Sequence, residues 1–163
     1  MTKRIIIAII ILAVLTSAFF LAVYLDGKTA PTLKVIYKKQ RVQAIQLSTN
    51  WDYNGASYSS DSPGALQLRQ SDYDNATIYV DSGDEIVLKF SGNHPLQSIT
   101  AKRRLAEYAK GEQDVRDVID EFEFVEVNGN IILISDDGQD YIYEIYATWS
   151  QGNSGYAFRV IIN

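Results

Sequence analysis

Residues 141–149 read YIYEIYATW and residues 156–162 read YAFRVII, and these two stretches decide the fold class. In the first, Tyr141, Tyr143, Ile145, Ala147 and Trp149 fall on one side of a period-two chain, with Ile142, Glu144, Tyr146 and Thr148 on the other. In the second, Tyr156, Phe158, Val160 and Ile162 alternate with Ala157, Arg159 and Ile161. A repeat of two is the spacing of an extended strand, whose successive side chains point to opposite faces. The intervening SQGNSG at 150–155 supplies turn residues, so the pair predicts an antiparallel hairpin that closes the chain.

Upstream, residues 122–127 and 131–134 flank Asn128-Gly129, a dipeptide suited to a type I′ turn, and predict a second hairpin. Residues 33–37 and 42–47 are rich in β-branched and apolar side chains and predict strands, as do 77–80 and 85–90 around a Gly83 turn. Residues 66–69 alternate like a short strand, and residues 95–101 fit a strand with Pro95 at its first position. The segment 50–64, NWDYNGASYSSDSPG, is punctuated by Gly and Pro and predicts a loop or irregular hairpin. Only Val115, Val118, Ile119 and Phe122 change to the i, i+3, i+4, i+7 spacing of an amphipathic helix. Eight or nine short strands with one short helix predict an antiparallel β-sandwich over residues 33–163. Tyr141 or Tyr143, after the acidic glycine turn at 136–140, is placed as a tyrosine corner would be.

The run 141–149, then Gly152, then Tyr156-Ala157-Phe158-Arg159-Val160, resembles the ending of small Gram-positive surface domains. Such domains occur alone behind an export signal, or at the extracellular end of membrane sensors related to β-lactam-sensing metallopeptidases. The resemblance extends through Trp51, Asp61-Ser62-Pro63, Gly83-Asp84-Glu85-Ile86 and residues 95–99. It implies an immunoglobulin-like fold and brings no catalytic residue with it. Neither the HExxH of the peptidase nor a Ser-x-x-Lys tetrad occurs in the chain.

At the other end, residues 5–25 read IIIAIIILAVLTSAFFLAVYL, 21 residues without a charge, about the length that crosses a ~30 Å hydrocarbon core. Lys3 and Arg4 precede the stretch and Asp26 follows it, which predicts a cytoplasmic N-terminus and an external body. Residues 1–27 therefore read as a membrane anchor that contacts lipid through 5–25, and 28–32 as a linker. The alternative is a signal peptide cleaved near Thr16-Ser17-Ala18, which would release the body but leave FFLAVYL exposed at its start.

Of the net charge of −5, residues 1–27 carry +1 through Lys3, Arg4 and Asp26, and the body carries −6. That balance argues against a nucleic-acid partner, even with Lys102-Arg103-Arg104 and the basic residues Lys38, Lys39 and Arg41. Cysteine is absent, which removes disulfides, thiolate metal sites and a thiol nucleophile. His94 is the only histidine, and the acidic turns lack EF-hand spacing, so no catalytic residue, metal or cofactor is expected. The best binding candidates are Trp51, Tyr53 and Tyr58, aromatics in a polar loop that suit a sugar ring or a protein partner. These readings add up to a membrane-anchored, non-enzymatic module that binds or regulates a protein or cell-envelope partner. An accessory subunit of a larger membrane complex is the alternative, and a cell-envelope enzyme ranks third.

Overall fold

The computed structural model describes residues 2–27, 29–108, 122–135 and 137–163, with side chains in the first stretch described for residues 5–18. Helix α1 is Thr2–Gly27. Among the described residues no helix is long and apolar enough to cross a membrane. The described side chains of α1 cover only about 21 Å of helix, and the expected span at 5–25 continues into side chains outside them. The helix expected around Val115 and Phe122 also falls mostly on residues 109–121, outside the described residues.

Among the described residues twelve strands form two sheets. The first contains β1 (Leu33–Tyr37), β2 (Gln40–Gln43), β6 (Glu85–Phe90), β9 (Val127–Asn128) and β10 (Ile131–Leu133), in the order β2-β1-β6-β10-β9. The second contains β3 (Ile45–Tyr53), β4 (Ala56–Ser60), β7 (Leu96–Leu105), β8 (Glu123–Val125), β11 (Tyr141–Trp149) and β12 (Gly152–Ile162), in the order β4-β3-β12-β11-β7-β8. The pairings along both orders are antiparallel. The fold is mainly β, as expected. One parallel pair is added: β5 (Thr77–Val80) lies beside the second half of β12, whose first half is held by β3.

One hydrophobic cluster draws on both sheets. Leu33, Val35, Ile86, Leu88 and Ile132 from the first sheet pack with Trp51, Ala101, Ile145, Trp149, Tyr156 and Phe158 from the second. Edge-to-face ring contacts tie it together, Trp51 on Trp149 at 5.6 Å and Phe90 on Trp149 at 5.3 Å, while Tyr143 stacks on its cross-strand neighbour Phe158 at 5.4 Å. The far face of the second sheet is covered too. Two 3-10 turns, Ala65–Gln67 and Gln70–Ala76, lay Ala65 and Tyr73 over Leu47, Ile142 and Ala157, and the Tyr73 hydroxyl donates to the Ala65 carbonyl at 2.9 Å. β11 and the middle of β12 are therefore buried on both faces, which is why Ile142 and Ala157 stand where a one-sided strand would carry polar residues.

Several expectations change. The final hairpin turns at Ser150-Gln151, because Trp149 already pairs with Gly152, so 152–155 are strand and not turn. The β9–β10 turn is Gly129-Asn130, one residue later than Asn128-Gly129, with positive φ at Gly129 alone. Residues 66–69, expected as a strand, lie in and around the 3-10 turns, where Asp72 accepts from the Arg69 N–H at 2.7 Å and Gln67 from the Gly64 N–H at 3.0 Å. Residues 42–47 split between β2 and β3, which belong to different sheets. β5 and β6 are joined by a turn at Gly83, as expected, and that turn carries the chain from one sheet to the other.

Candidate functional site

The segment 50–64, expected as a loop or irregular hairpin, is largely a hairpin. Tyr53 pairs with Ala56, so Asn54 and Gly55 are the two central residues, both at positive φ (50° and 80°), as a type I′ turn requires. The three aromatics named from the sequence part company here. Trp51 is 1% exposed, wedged between Trp149 and His94 at 5.6 and 5.2 Å, so its indole belongs to the core and not to a ligand. Tyr53 is half-buried against the same cluster. Tyr58 is 58% exposed.

That exposure is informative because of register. Tyr58 is the cross-strand partner of Trp51, and directly opposed residues share a face. Tyr58 thus continues the core-facing row onto the edge strand β4, where it stays uncovered. It lines a cleft of about 400 Å³ with Gln46, Leu47, Thr49, Ser60 and Ser62, closed on one side by Thr29 and Ala30. The floor is ordered: Gln46 Nε2 donates to Thr49 Oγ1 at 3.0 Å and to Ser154 Oγ at 3.1 Å, and those two hydroxyls lie 2.8 Å apart.

The side formed by residues 29–32 is equally fixed. Ala30 is buried in the main cluster, the Tyr156 hydroxyl donates to the Pro31 carbonyl, and Thr32 N–H donates to Ser91 Oγ at 2.8 Å while Ser91 N–H returns a bond to the Thr32 carbonyl at 2.9 Å. Residues 29–32, expected as a linker, are thus packed on the body. The cleft begins within two residues of the last helical residue, Gly27.

A second cleft, about 530 Å³, is lined by Arg103, Arg104, Tyr108, Phe122, Glu123 and Tyr141, among others. Its charges are spoken for. Arg103 binds Glu123 at 2.8 Å and the Ser135 hydroxyl, with its guanidinium 4.1 Å from the Tyr141 ring centroid. Tyr141 reaches back as a tyrosine corner does, but its hydroxyl donates to the Asp137 carboxylate at 2.7 Å and not to backbone. Tyr141 is pushed up to about 12 by its burial and by this bond to Asp137.

Beside it, on the far face of the second sheet, Glu144 is buried with Oε1 on Arg104 at 2.8 Å and Oε2 on Lys102 at 3.1 Å, and Oε2 also accepts from the Tyr146 hydroxyl at 2.9 Å. Burial, then the Glu144 charge, raises Tyr146 to about 12. With both carboxylate oxygens occupied by donors, the cluster offers no ready base or nucleophile. It also dissolves the basic run of the sequence, since Lys102, Arg103 and Arg104 each face an acid, and Lys38 faces Asp81 at 2.6 Å and Asp84 at 3.1 Å. Among the described residues no group of three or more His, Asp or Glu is placed to hold a metal ion.

Tyr58 was legible as a candidate from the sequence. Gln46, Thr49, Ser60 and Ser62 were not, because what brings them together is the β3–β4 pairing. No family model, no curated protein and no solved structure matches the chain.

Proposed function

We propose that the chain is a membrane-anchored, non-enzymatic binding module. In this reading residues 5–25 cross the bilayer with the N-terminus in the cytoplasm, and an immunoglobulin-like sandwich stands outside, akin to the Gram-positive surface domains its last two strands resemble. The single observation that carries the reading is the placement of Tyr58: an exposed ring in a cleft with an ordered polar floor, bordered by Thr29 and Ala30. The anchor is supported by the described part of that helix, where Ile, Leu and Val side chains on every face are each more than half exposed. A helix that is apolar all round calls for apolar surroundings. The sandwich is supported by two sheets sharing one core and by Tyr141 at its acidic turn.

Crosslinking in native membranes tests the reading. A photoreactive p-benzoylphenylalanine in place of Tyr58 is expected to capture a specific cell-surface component, and the same probe in place of exposed Tyr79 on β5 is expected to capture none. Equal capture at both positions, or capture at neither, counts against a binding site in the cleft.

A further inference from the structure

We infer that the Tyr58 cleft takes an uncharged saccharide, an inference that rests on the binding-module reading and names its ligand class. Three features of the cleft point the same way. Its lining residues Thr29, Ala30, Gln46, Leu47, Thr49, Tyr58, Ser60 and Ser62 include no ionisable side chain except the phenol of Tyr58, in a chain of which 21% of residues are charged. A charged ligand would be desolvated there without a counter-charge, whereas a neutral polyhydroxyl compound would not.

The hydrogen-bonding groups are also the right kind and remain available. The hydroxyls of Tyr58, Ser60, Ser62 and Thr29 make no hydrogen bond to a described residue, and Gln46, which donates twice through Nε2, keeps its Oε1 as an acceptor. Hydroxyls both donate and accept, which matches the hydroxyls of a sugar ring group for group. The Gln46–Thr49–Ser154 triangle holds its floor in place before any ligand arrives, so little ordering is left to oppose binding.

Finally, the cleft has one exposed aromatic ring and modest apolar surface. A pyranose presents C–H groups on one face and hydroxyls at its rim, so it can lay the first on Tyr58 and turn the second toward the serines and Gln46. A volume of about 400 Å³ lies in the range of small-molecule sites. Because the cleft opens next to the end of α1, two sources of the same chemistry reach it: a surface polysaccharide, or the headgroup of a neutral glycolipid.

The test uses the full chain in lipid nanodiscs. Saturation-transfer NMR is run with neutral gluco-, galacto-, manno- and N-acetylhexosamine oligosaccharides, with polyuronates as the acidic comparison. A parallel set of nanodiscs carries a neutral glycolipid. Binding of at least one neutral glycan is expected, with signal on its ring C–H protons. Tyr58→Ala should weaken it by at least about fivefold, while Tyr58→Phe and the exposed-surface control Tyr79→Ala should leave most of it. A response confined to the glycolipid discs assigns the headgroup as the source, and a response to soluble glycan assigns the polysaccharide; either supports the inference.

Binding of polyuronates as strong as that of neutral glycans, binding unaffected by Tyr58→Ala, or no glycan binding at millimolar concentration overturns it. The crosslinking outcome then separates the two claims. If position 58 captures a polypeptide while no glycan binds, the module is a binding protein with a different ligand, such as a strand added to the β4 edge. If nothing is captured and no glycan binds, both readings fail.

Discussion

Tyr37, Lys38, Asp81 and Asp84 show how single side chains fix the joints of this fold. The Tyr37 hydroxyl lies 2.7 Å from Asp84 Oδ2 and 2.9 Å from Asp81 Oδ2, and it accepts from the Asp81 N–H. Lys38 and then Tyr37 hold the Asp81 carboxyl below the usual carboxylate range, and Tyr37 and then Lys38 do the same for Asp84. A depressed folded-state pKa means that this contribution to stability is complete above the unfolded value and fades as pH falls through the folded one. Tyr37→Phe should therefore move both carboxyls part of the way back toward ordinary values, removing some of the stability present at neutral pH and leaving a smaller fall on acidification. Carbon-detected NMR titration of the two carboxyls checks this, and unchanged titration curves would refute it. Glu144 is the buried counterpart. Glu144→Ala would take the carboxylate away from Arg104, which is 5% exposed, and should cost more in denaturant unfolding than the ~1 kcal/mol of an exposed ion pair. A loss under about 1 kcal/mol would mean that the pair behaves as a surface ion pair.

At the scale of the element, two glycines at positive φ, one in the β3–β4 turn and one at the start of β12, compare backbone strain alone with strain plus crowding. Gly55 sits at φ 80° with nothing within 4 Å of where a Cβ would be, so Gly55→Ala should cost only the left-handed penalty, about 1–2 kcal/mol. Gly152, which starts β12, would place a Cβ 2.0 Å from the Asn50 carbonyl oxygen of β3, and backbone cannot swing away. Gly152→Ala should cost about 3 kcal/mol or more. Because Gly152 is paired with Trp51, the variant should also alter tryptophan emission, which Gly55→Ala should not. Comparing unfolding midpoints and spectra of the two variants checks both. The same strands mark the limit of what the sequence discloses. β11 and β12 were legible because large apolar residues recur at every second position. β4 was legible only as one side of a choice between loop and irregular hairpin, because ASYSS at a sheet edge carries no apolar alternation and becomes a strand only by pairing with β3. Likewise, the local pattern around Gly83 gives two strands and a turn but not their partners, since nothing within fifteen residues says that β5 belongs beside β12, some eighty positions away.

For the whole molecule, the arrangement of α1, residues 29–32 and cleft makes the two leading functional readings distinguishable. Residues 29–32 are packed against Tyr156 and Ser91, so they belong to the body, and the cleft they help to line starts two residues after the last helical residue. If the helix is only a tether, its sequence is interchangeable with any span of equal length, because lipid-facing apolar surface has no partner to recognise. If instead the chain is an accessory subunit that recognises a larger complex through α1, the side chains of 5–25 are the interface and cannot be exchanged. Replacing 5–25 with an unrelated 21-residue apolar span, leaving Lys3, Arg4 and everything from Asp26 onward in place, is therefore expected to preserve three things. The chain should stay with membranes after an alkaline wash, the body should remain open to protease added to whole cells, and capture at position 58 should be undiminished. Loss of capture with membrane retention intact would shift the reading to the accessory subunit. Protection of the body from external protease would reverse the topology, and with it the claim that the Tyr58 cleft faces ligands outside the cell.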